Sequence, residues 1–325
     1  MDLTTTYLGL ELRNPIIIGS SKITSKVENI KHCAAAGAGA VVLKSLFEEQ
    51  ILAEYASQMD QTNQSYWVPE IKEYVMNMAR EQKIDSYLRL IADSKKQTDI
   101  PIIASINCVS ANEWASFAGK MQDAGADALE LNISIFPFNK NITSESIENT
   151  YVEILKAVKK HVNIPVSVKM GRYFTNIHRI THCLADEGAE GLVLFNRFYS
   201  PDIDISKMQV VTDNFFSSPD EKSIPMRWIA LLTADGINCD LSASTGIHYS
   251  IGVVKQLLAG ATTTQISTTV FQNGIHYIND IVEGLEEWMR KHRYKKISDF
   301  RGLVSRNPEN RAEFERMQYL KRNFE

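Results

Sequence analysis

Basic residues are not in surplus in this 325-residue chain: 35 Lys and Arg stand against 39 Asp and Glu, a formal net charge of −4. That excludes the electrostatic footprint by which nucleic-acid binders hold phosphate backbones. Long apolar runs are missing too, and none approaches the ~18 residues of a membrane-spanning helix. The opening MDLTTTYLGLEL lacks a basic segment followed by an apolar one, so no secretory leader is read there. Cysteine is scarce. Cys33, Cys108, Cys183 and Cys239 are widely spaced, with no Cys-x-x-Cys pair, which argues against zinc or iron–sulfur ligation and against a disulfide framework. These absences predict a cytoplasmic protein with reduced thiols, no metal site, no nucleic-acid partner and no membrane anchor. What is there is globular: 44% hydrophobic and 23% charged residues exclude a disordered, collagenous or coiled-coil chain.

One theme recurs along the chain: Ala36-Gly37-Ala38, Ala124-Gly125-Ala126, Glu187-Gly188-Ala189 and Ala259-Gly260-Ala261. Each follows an amphipathic stretch and precedes a short apolar run, at 40–44, 128–132, 191–196 and 263–267. Glycine suits the left-handed position just past a helix end, and a continuous apolar run suits a strand buried on both faces of a parallel sheet. Further strands are predicted at 15–20, 100–106, 164–169 and, more weakly patterned, 238–243; Pro101 and Pro165 stand near the start of two of them, where proline is tolerated. Helices are predicted over 25–36, 70–96, 112–124, 144–161, 176–187, 225–234, 248–258 and 274–292. Eight alternating strand and helix units point to a (β/α)8 TIM barrel. A doubly wound open sheet is the alternative, but its usual Gly-x-Gly-x-x-Gly turn is absent. The domain reading is a barrel over 1–305 and a helical tail over 306–325. Extra length falls at 47–70 and 197–225, after the second and sixth strands.

In such a barrel, polar residues at the C-terminal strand ends build the site. They are Ser20, Lys44, Ser45, Asn107, Asn132, Ser134, Lys169, Asn196, Ser244, Thr245, Gly246, Ser267 and Thr268. A lysine closing an apolar strand is costly to bury unless it is paired or faces an anion. Lys44 and Lys169 are therefore either ion-pair partners or ligands for an anionic or electron-accepting group. Ser244-Thr245-Gly246-Ile247 and Ser267-Thr268-Thr269 stand before helix starts, and they read either as a phosphate cradle or as ordinary N-caps.

The stretch Ala124-Gly125-Ala126-Asp127-Ala128-Leu129-Glu130-Leu131-Asn132-Ile133-Ser134 closely resembles the dihydroorotate dehydrogenase family, and is similar to the flavin domain of dihydropyrimidine dehydrogenase. Supporting matches are Asn14-Pro15, Lys44-Ser45, Val168-Lys169, Ser244-Thr245-Gly246-Ile247, Gln265-Ile266, Glu283-Gly284-Leu285 and Ile297-Ser298-Asp299-Phe300. The resemblance runs from about 3 to 303 and is weak over 50–95 and 197–235. It implies the barrel fold and an FMN cofactor. It places Ser20 under the ring, Lys44 and Ser45 at the boundary of flavin and substrate, Lys169 near the pyrimidine end of the flavin, and Thr245, Gly246, Ser267 and Thr268 on the phosphate. It gives Asn132 and Asn196, with Lys44, to the substrate, gives Asn132 to the cofactor as well, and makes a homodimer the expected assembly.

Three departures stand against it. Where the family carries its cysteine base, this chain has Ile135, followed by Phe136-Pro137, and isoleucine accepts no proton. An asparagine motif expected after the second strand is absent from 66–84, Asn77 being off register. Ile224-Pro225-Met226-Arg227-Trp228 replaces a Gly-Gly turn. No catalytic residue is assigned. The expectation is an FMN-dependent oxidoreductase acting on a pyrimidine-type or similar small cyclic substrate. The alternatives are a lyase using Lys169 or Lys44 as a Schiff base and a catalytically impaired FMN-binding protein.

Overall fold

The computed structural model describes residues 1–47, 69–108, 111–135, 138–198, 201–211 and 215–320. Eight parallel strands carry the fold: β1 (Ile16–Ile18), β2 (Ala40–Val42), β3 (Ile102–Cys108), β4 (Ala128–Ile133), β5 (Val166–Met170), β6 (Gly191–Leu194), β7 (Asp240–Ser244) and β8 (Thr263–Ile266). Each pairs with the next, and β8 pairs back to β1 through Thr264↔Ile16 and Ile266↔Ile18, so the sheet closes into a TIM barrel. Most of the first insertion, the extra length predicted at 47–70 after β2, lies outside the described residues, which omit 48–68.

The helices between strands are α1 (Val27–Ala35), α2 (Pro69–Gln97), α3 (Ala111–Asp123), α4 (Ser144–Lys159), α5 (Ile177–Asp186), α6 (Ser223–Asp235), α7 (Ser250–Ala259) and α8 (Tyr277–His292). The repeated glycines do what their spacing predicts: Gly37, Gly125, Gly188 and Gly260 all have φ between +93° and +114°, the conformation that turns a helix end back toward the sheet at no steric cost. The predicted eighth helix, 274–292, starts later, at Tyr277; a separate short helix, Thr268–Asn273, precedes it and is broken off by Gly274. The tail forms α9 (Pro308–Leu320), which lies beside α6. No helix among the described residues is long and apolar enough to cross a membrane.

Strand alternation divides the core in two. Leu129, Leu131 and Ile133 of β4 pack outward into the shell between sheet and helices. Ala128 faces inward with Ile17, Ala40, Val42 and Ile103. An N-terminal hairpin (Thr5–Tyr7 paired with Leu10–Leu12), absent from the strand predictions, plugs that end of the barrel with Tyr7, Leu8 and Leu12. Above this apolar plug the barrel lumen turns polar, with Ser105, Glu130, Ser167, Ser242, Thr263 and Gln265 all buried. The plug closes one end, so polar chemistry has access only from the C-terminal mouth. A second hairpin, Asp202–Asp204 paired with Gln209–Val211, lies within the insertion after β6.

Candidate functional site at the barrel mouth

An open cavity of about 180 Å³ lies at the C-terminal mouth. Of the residues singled out from sequence, Ser20, Lys169, Asn196, Ser244, Thr245, Gly246, Ser267 and Thr268 line it. Lys44, Ser45 and Asn132 do not, although Ser45 is hydrogen-bonded to Ser20 and Asn132 to Asn196, both of which do.

Lys169 closes β5 and is only 8% exposed. Its Nζ donates to Gln265 Oε1 at 3.0 Å and lies 3.7 Å from Glu130 Oε1, while Gln265 Nε2 donates to Glu130 Oε2 at 2.5 Å. Glu130, 1% exposed, sits one lumen layer below Asn132 on β4. Of the two readings open from sequence, this lysine takes both: it has a buried counter-ion, and it faces the cavity. A carboxylate, a carboxamide and an ammonium in a low-dielectric lumen form a network whose members hold one another in place. Neither Glu130 nor Gln265 was among the site residues expected from sequence. A charge inside the apolar run Ala-Leu-Glu-Leu, at alternation with Asn132, was the signal available for Glu130.

On the opposite wall the small hydroxyls form a chain. Ser45 N donates to Ser20 Oγ at 2.8 Å, the two hydroxyls lie 3.1 Å apart, and Ser45 Oγ lies 2.7 Å from Ser105 Oγ. Tyr87 from α2 locks that end, donating to Ser105 O at 3.0 Å and accepting from Ser105 N at 2.8 Å. Ser45 thus positions Ser20 from behind. Lys44 is half-buried with no ion-pair partner among the described residues. Strand register sets Asn132 directly opposite Lys169, and Asn132 Oδ1 accepts from Asn196 Nδ2 at 3.0 Å, which joins the ends of β4 and β6.

The ends of β7 and β8 make a tight backbone corner. Thr245 and Gly246 both have positive φ, +83° and +75°, and a β-carbon on Gly246 would stand 2.2 Å from the Lys222 backbone nitrogen. Thr245 Oγ1 is tied to Phe195 O at 3.2 Å. Gly246 and Ile247 line the cavity, and their backbone N–H groups donate to no acceptor among the described residues. Strained backbone held this way concentrates at ligand sites. Two residues not anticipated from sequence complete the wall: Ser217 donates to Thr268 Oγ1 at 3.2 Å and shares a 3.1 Å hydrogen bond with His248 Nε2. Burial pushes the His248 pKa down from its ordinary value, only partly countered by its hydrogen bond at Ser217 and by Glu221.

A smaller recess adjoins this cavity and shares Asn196, Arg197, Ser244 and Thr245 with it. Arg197 donates from Nε to both carboxylate oxygens of Glu221, at 3.3 and 3.0 Å, and so clasps the insertion across the recess. Ile135 is half-buried and packs on the apolar shell; no proton acceptor stands at that position. Phe136 and Pro137 lie outside the described residues, as does the side chain of Asn77.

Comparison with known proteins agrees with this geometry. The family profile described as dihydroorotate dehydrogenase matches residues 2–289. The catalytic subunit of dihydroorotate dehydrogenase B (NAD(+)) from Pyrococcus abyssi is 28% identical over 311 residues, spanning 93% of this chain and 99% of that one. Its counterpart from Thermoplasma volcanium is 25% identical over 315 residues, spanning 93% and 98%.

Proposed function

The chain belongs to the dihydroorotate dehydrogenase family, and on that premise we propose that it is an FMN-dependent oxidoreductase whose substrate is a small cyclic compound other than dihydroorotate. The observation that carries this reading is the contrast at the mouth: a lysine held by Glu130 and Gln265 beside an unsatisfied backbone corner, but an isoleucine where the family places its base. The residues suit FMN. Free N–H groups at Gly246 and Ile247, with the hydroxyls of Ser267 and Thr268, are the donors a phosphate takes. Gly19 and Ser20 offer a small-residue floor for a planar ring. When bound, FMN supplies a two-electron acceptor.

The chain's own residues do the rest. Lys169 presents a fixed cation to negative charge developing at the ring, a preorganised electrostatic effect. Glu130 and Gln265 keep its Nζ from turning away. Lys44, which has no ion-pair partner among the described residues, offers a cation to an anionic substrate group. Asn196 and Asn132, already bonded to each other, offer one further donor and acceptor to a ring amide. Deprotonation of carbon has no dedicated acceptor at 135, so turnover of dihydroorotate is slow or absent. The Schiff-base alternative loses ground at Lys169, whose Nζ is committed to Gln265 and Glu130.

The relatives are named as catalytic subunits, and a homodimer or larger assembly fits the exposed apolar side chains on the second hairpin, where Ile205 is 90% and Met208 86% exposed; such patches mark interaction surfaces. The test of function is direct. Cofactor released by heat is identified by mass, and the flavoprotein is then exposed anaerobically to dihydroorotate and to other cyclic reductants. FMN in the supernatant, with bleaching by a compound other than dihydroorotate, supports the proposal. Release of FAD, or no flavin uptake on reconstitution, overturns the cofactor; rapid bleaching by dihydroorotate overturns the substrate reading.

A further inference from the structure

Away from the mouth, α5 carries His178 and His182 one helical turn apart, and Asp235 ends α6 beside them. His178 Nε2 lies 2.9 Å from Asp235 Oδ2, and His182 Nε2 lies 3.2 Å from the same oxygen. The two rings stand 4.5 Å apart. We infer that His178, His182 and Asp235 form a divalent transition-metal site of the zinc class, linking α5 to α6.

Three observations carry this. Histidines at i and i+4 on one helix face present two nitrogens to a single point, the arrangement helical zinc sites use. The separations suit a metal: ligands held about 2.0–2.1 Å from zinc in a tetrahedron stand roughly 3.3 Å apart, and here the two nitrogens stand 2.9 and 3.2 Å from Asp235 Oδ2, with all three atoms within 4.8 Å of one another. And the trio is unsatisfied as it stands. Two imidazole nitrogens converge on one carboxylate oxygen, yet the buried His182 Nε2 makes no hydrogen bond to any described residue. An ordinary ion pair leaves that atom orphaned; a cation between the three takes a lone pair from each nitrogen and one from the carboxylate.

The second carboxylate oxygen is occupied separately. Arg311 of α9 approaches Asp235 Oδ1 at 3.8 Å and Glu315 at 3.1 Å, so it turns Oδ2 toward the histidines. The side chains are partly exposed, 46% for His178 and 30% for His182, which leaves the fourth position to water. Two helices and, through Asp235 and Arg311, the C-terminal helix are thereby joined at one point.

The test uses the full-length, flavin-loaded chain stripped with a chelator and titrated calorimetrically with zinc chloride. One zinc per chain is expected, with nitrogen and oxygen ligands at about 2.0–2.1 Å by X-ray absorption. His178→Gln and His182→Gln should each weaken binding by about tenfold or more, the scale on which metal-site changes act. His32→Gln, which removes an exposed histidine elsewhere, should leave it unchanged. Should the α5 variants fold poorly, an anomalous-scattering peak at the zinc edge in wild-type crystals decides the location. No stoichiometric binding, sulfur ligation, equal affinity in the His178→Gln and His182→Gln variants, or a peak elsewhere overturns the inference.

Discussion

One side of the barrel mouth, from β5 through β8, is densely cross-braced: Lys169 to Gln265 and Glu130, Thr245 to Phe195, Ser217 to Thr268 and His248. The other side, at the end of β4, offers Ile135 packed into the apolar shell. Both sides stand at strand ends of the same closed sheet, so the difference is one of side chains and not of scaffold. A barrel separates these duties by design, since each strand end contributes independently to the mouth. Binding and charge stabilisation can therefore be kept while proton transfer is lost or reassigned.

The sharpest way to break this comparison is to remove the cation from the braced side. Lys169→Met leaves Glu130 buried without its counter-ion, and breaking a buried pair from one side costs about 3–5 kcal/mol. We expect urea unfolding to show that loss, with weaker FMN binding and a lowered flavin potential. The double variant Lys169→Met with Glu130→Gln should recover most of the stability and none of the potential, because the orphaned charge is gone but the electrostatic donor is not restored. If the single variant is as stable as wild type, Lys169 and Glu130 are not coupled.

The second test acts on the unbraced side. Ile135→Cys places an ionisable thiol where the family carries its base. General-base catalysis contributes about 10²–10⁴-fold, so dihydroorotate-driven flavin reduction, followed anaerobically by stopped flow, should rise by roughly 100-fold at pH 8. Robust wild-type reduction at neutral pH would show that another residue supplies the base and that the two sides differ less than argued.

A smaller effect is expected at the seam. Asn196→Ala removes the 3.0 Å bond to Asn132 and leaves a partly buried amide oxygen unpaired, a cost of about 1 kcal/mol. FMN affinity should hold while substrate KM rises, since Asn196 is assigned to the substrate alone. Equal losses in both would place this pair on the cofactor side.

The unequal legibility of the two sides has a physical cause. The barrel was readable because its signals are local: Gly37, Gly125, Gly188 and Gly260 end helices, and each following apolar run is buried on both faces. The Ser, Thr and Gly residues that line the ends of β7 and β8 were readable for the same reason. What escaped was anything set by contact across the barrel. Gln265 meets Glu130 and Lys169 only when the sheet closes, Ser45 reaches Ser105 across neighbouring strands, and Ser217 reaches His248 from an insertion with no periodic pattern. The N-terminal hairpin was missed because three-residue strands are too short to show alternation. The scarcity of cysteine pointed away from metals, while His178, His182 and Asp235, which need the packing of two helices to meet, were invisible to spacing alone.

The smallest effect concerns His248, which braces the Ser217–Thr268 corner as a largely neutral ring. Burial lowers its pKa in the folded state, below the unfolded value of about 6.5. As pH falls through that value the unfolded chain takes up the proton first, so folding stability declines; above it both states are neutral and the residue contributes no pH dependence. In the flavin-free protein, unfolding free energy measured from pH 7.5 to 5.5 should fall more steeply in wild type than in His248→Gln, which keeps a hydrogen-bonding group toward Ser217 but cannot charge. Parallel curves would show that imidazolium is accommodated at the corner. In that case Ser217 and Thr268 would be adaptable, and the braced side of the mouth less rigid than its hydrogen bonds imply.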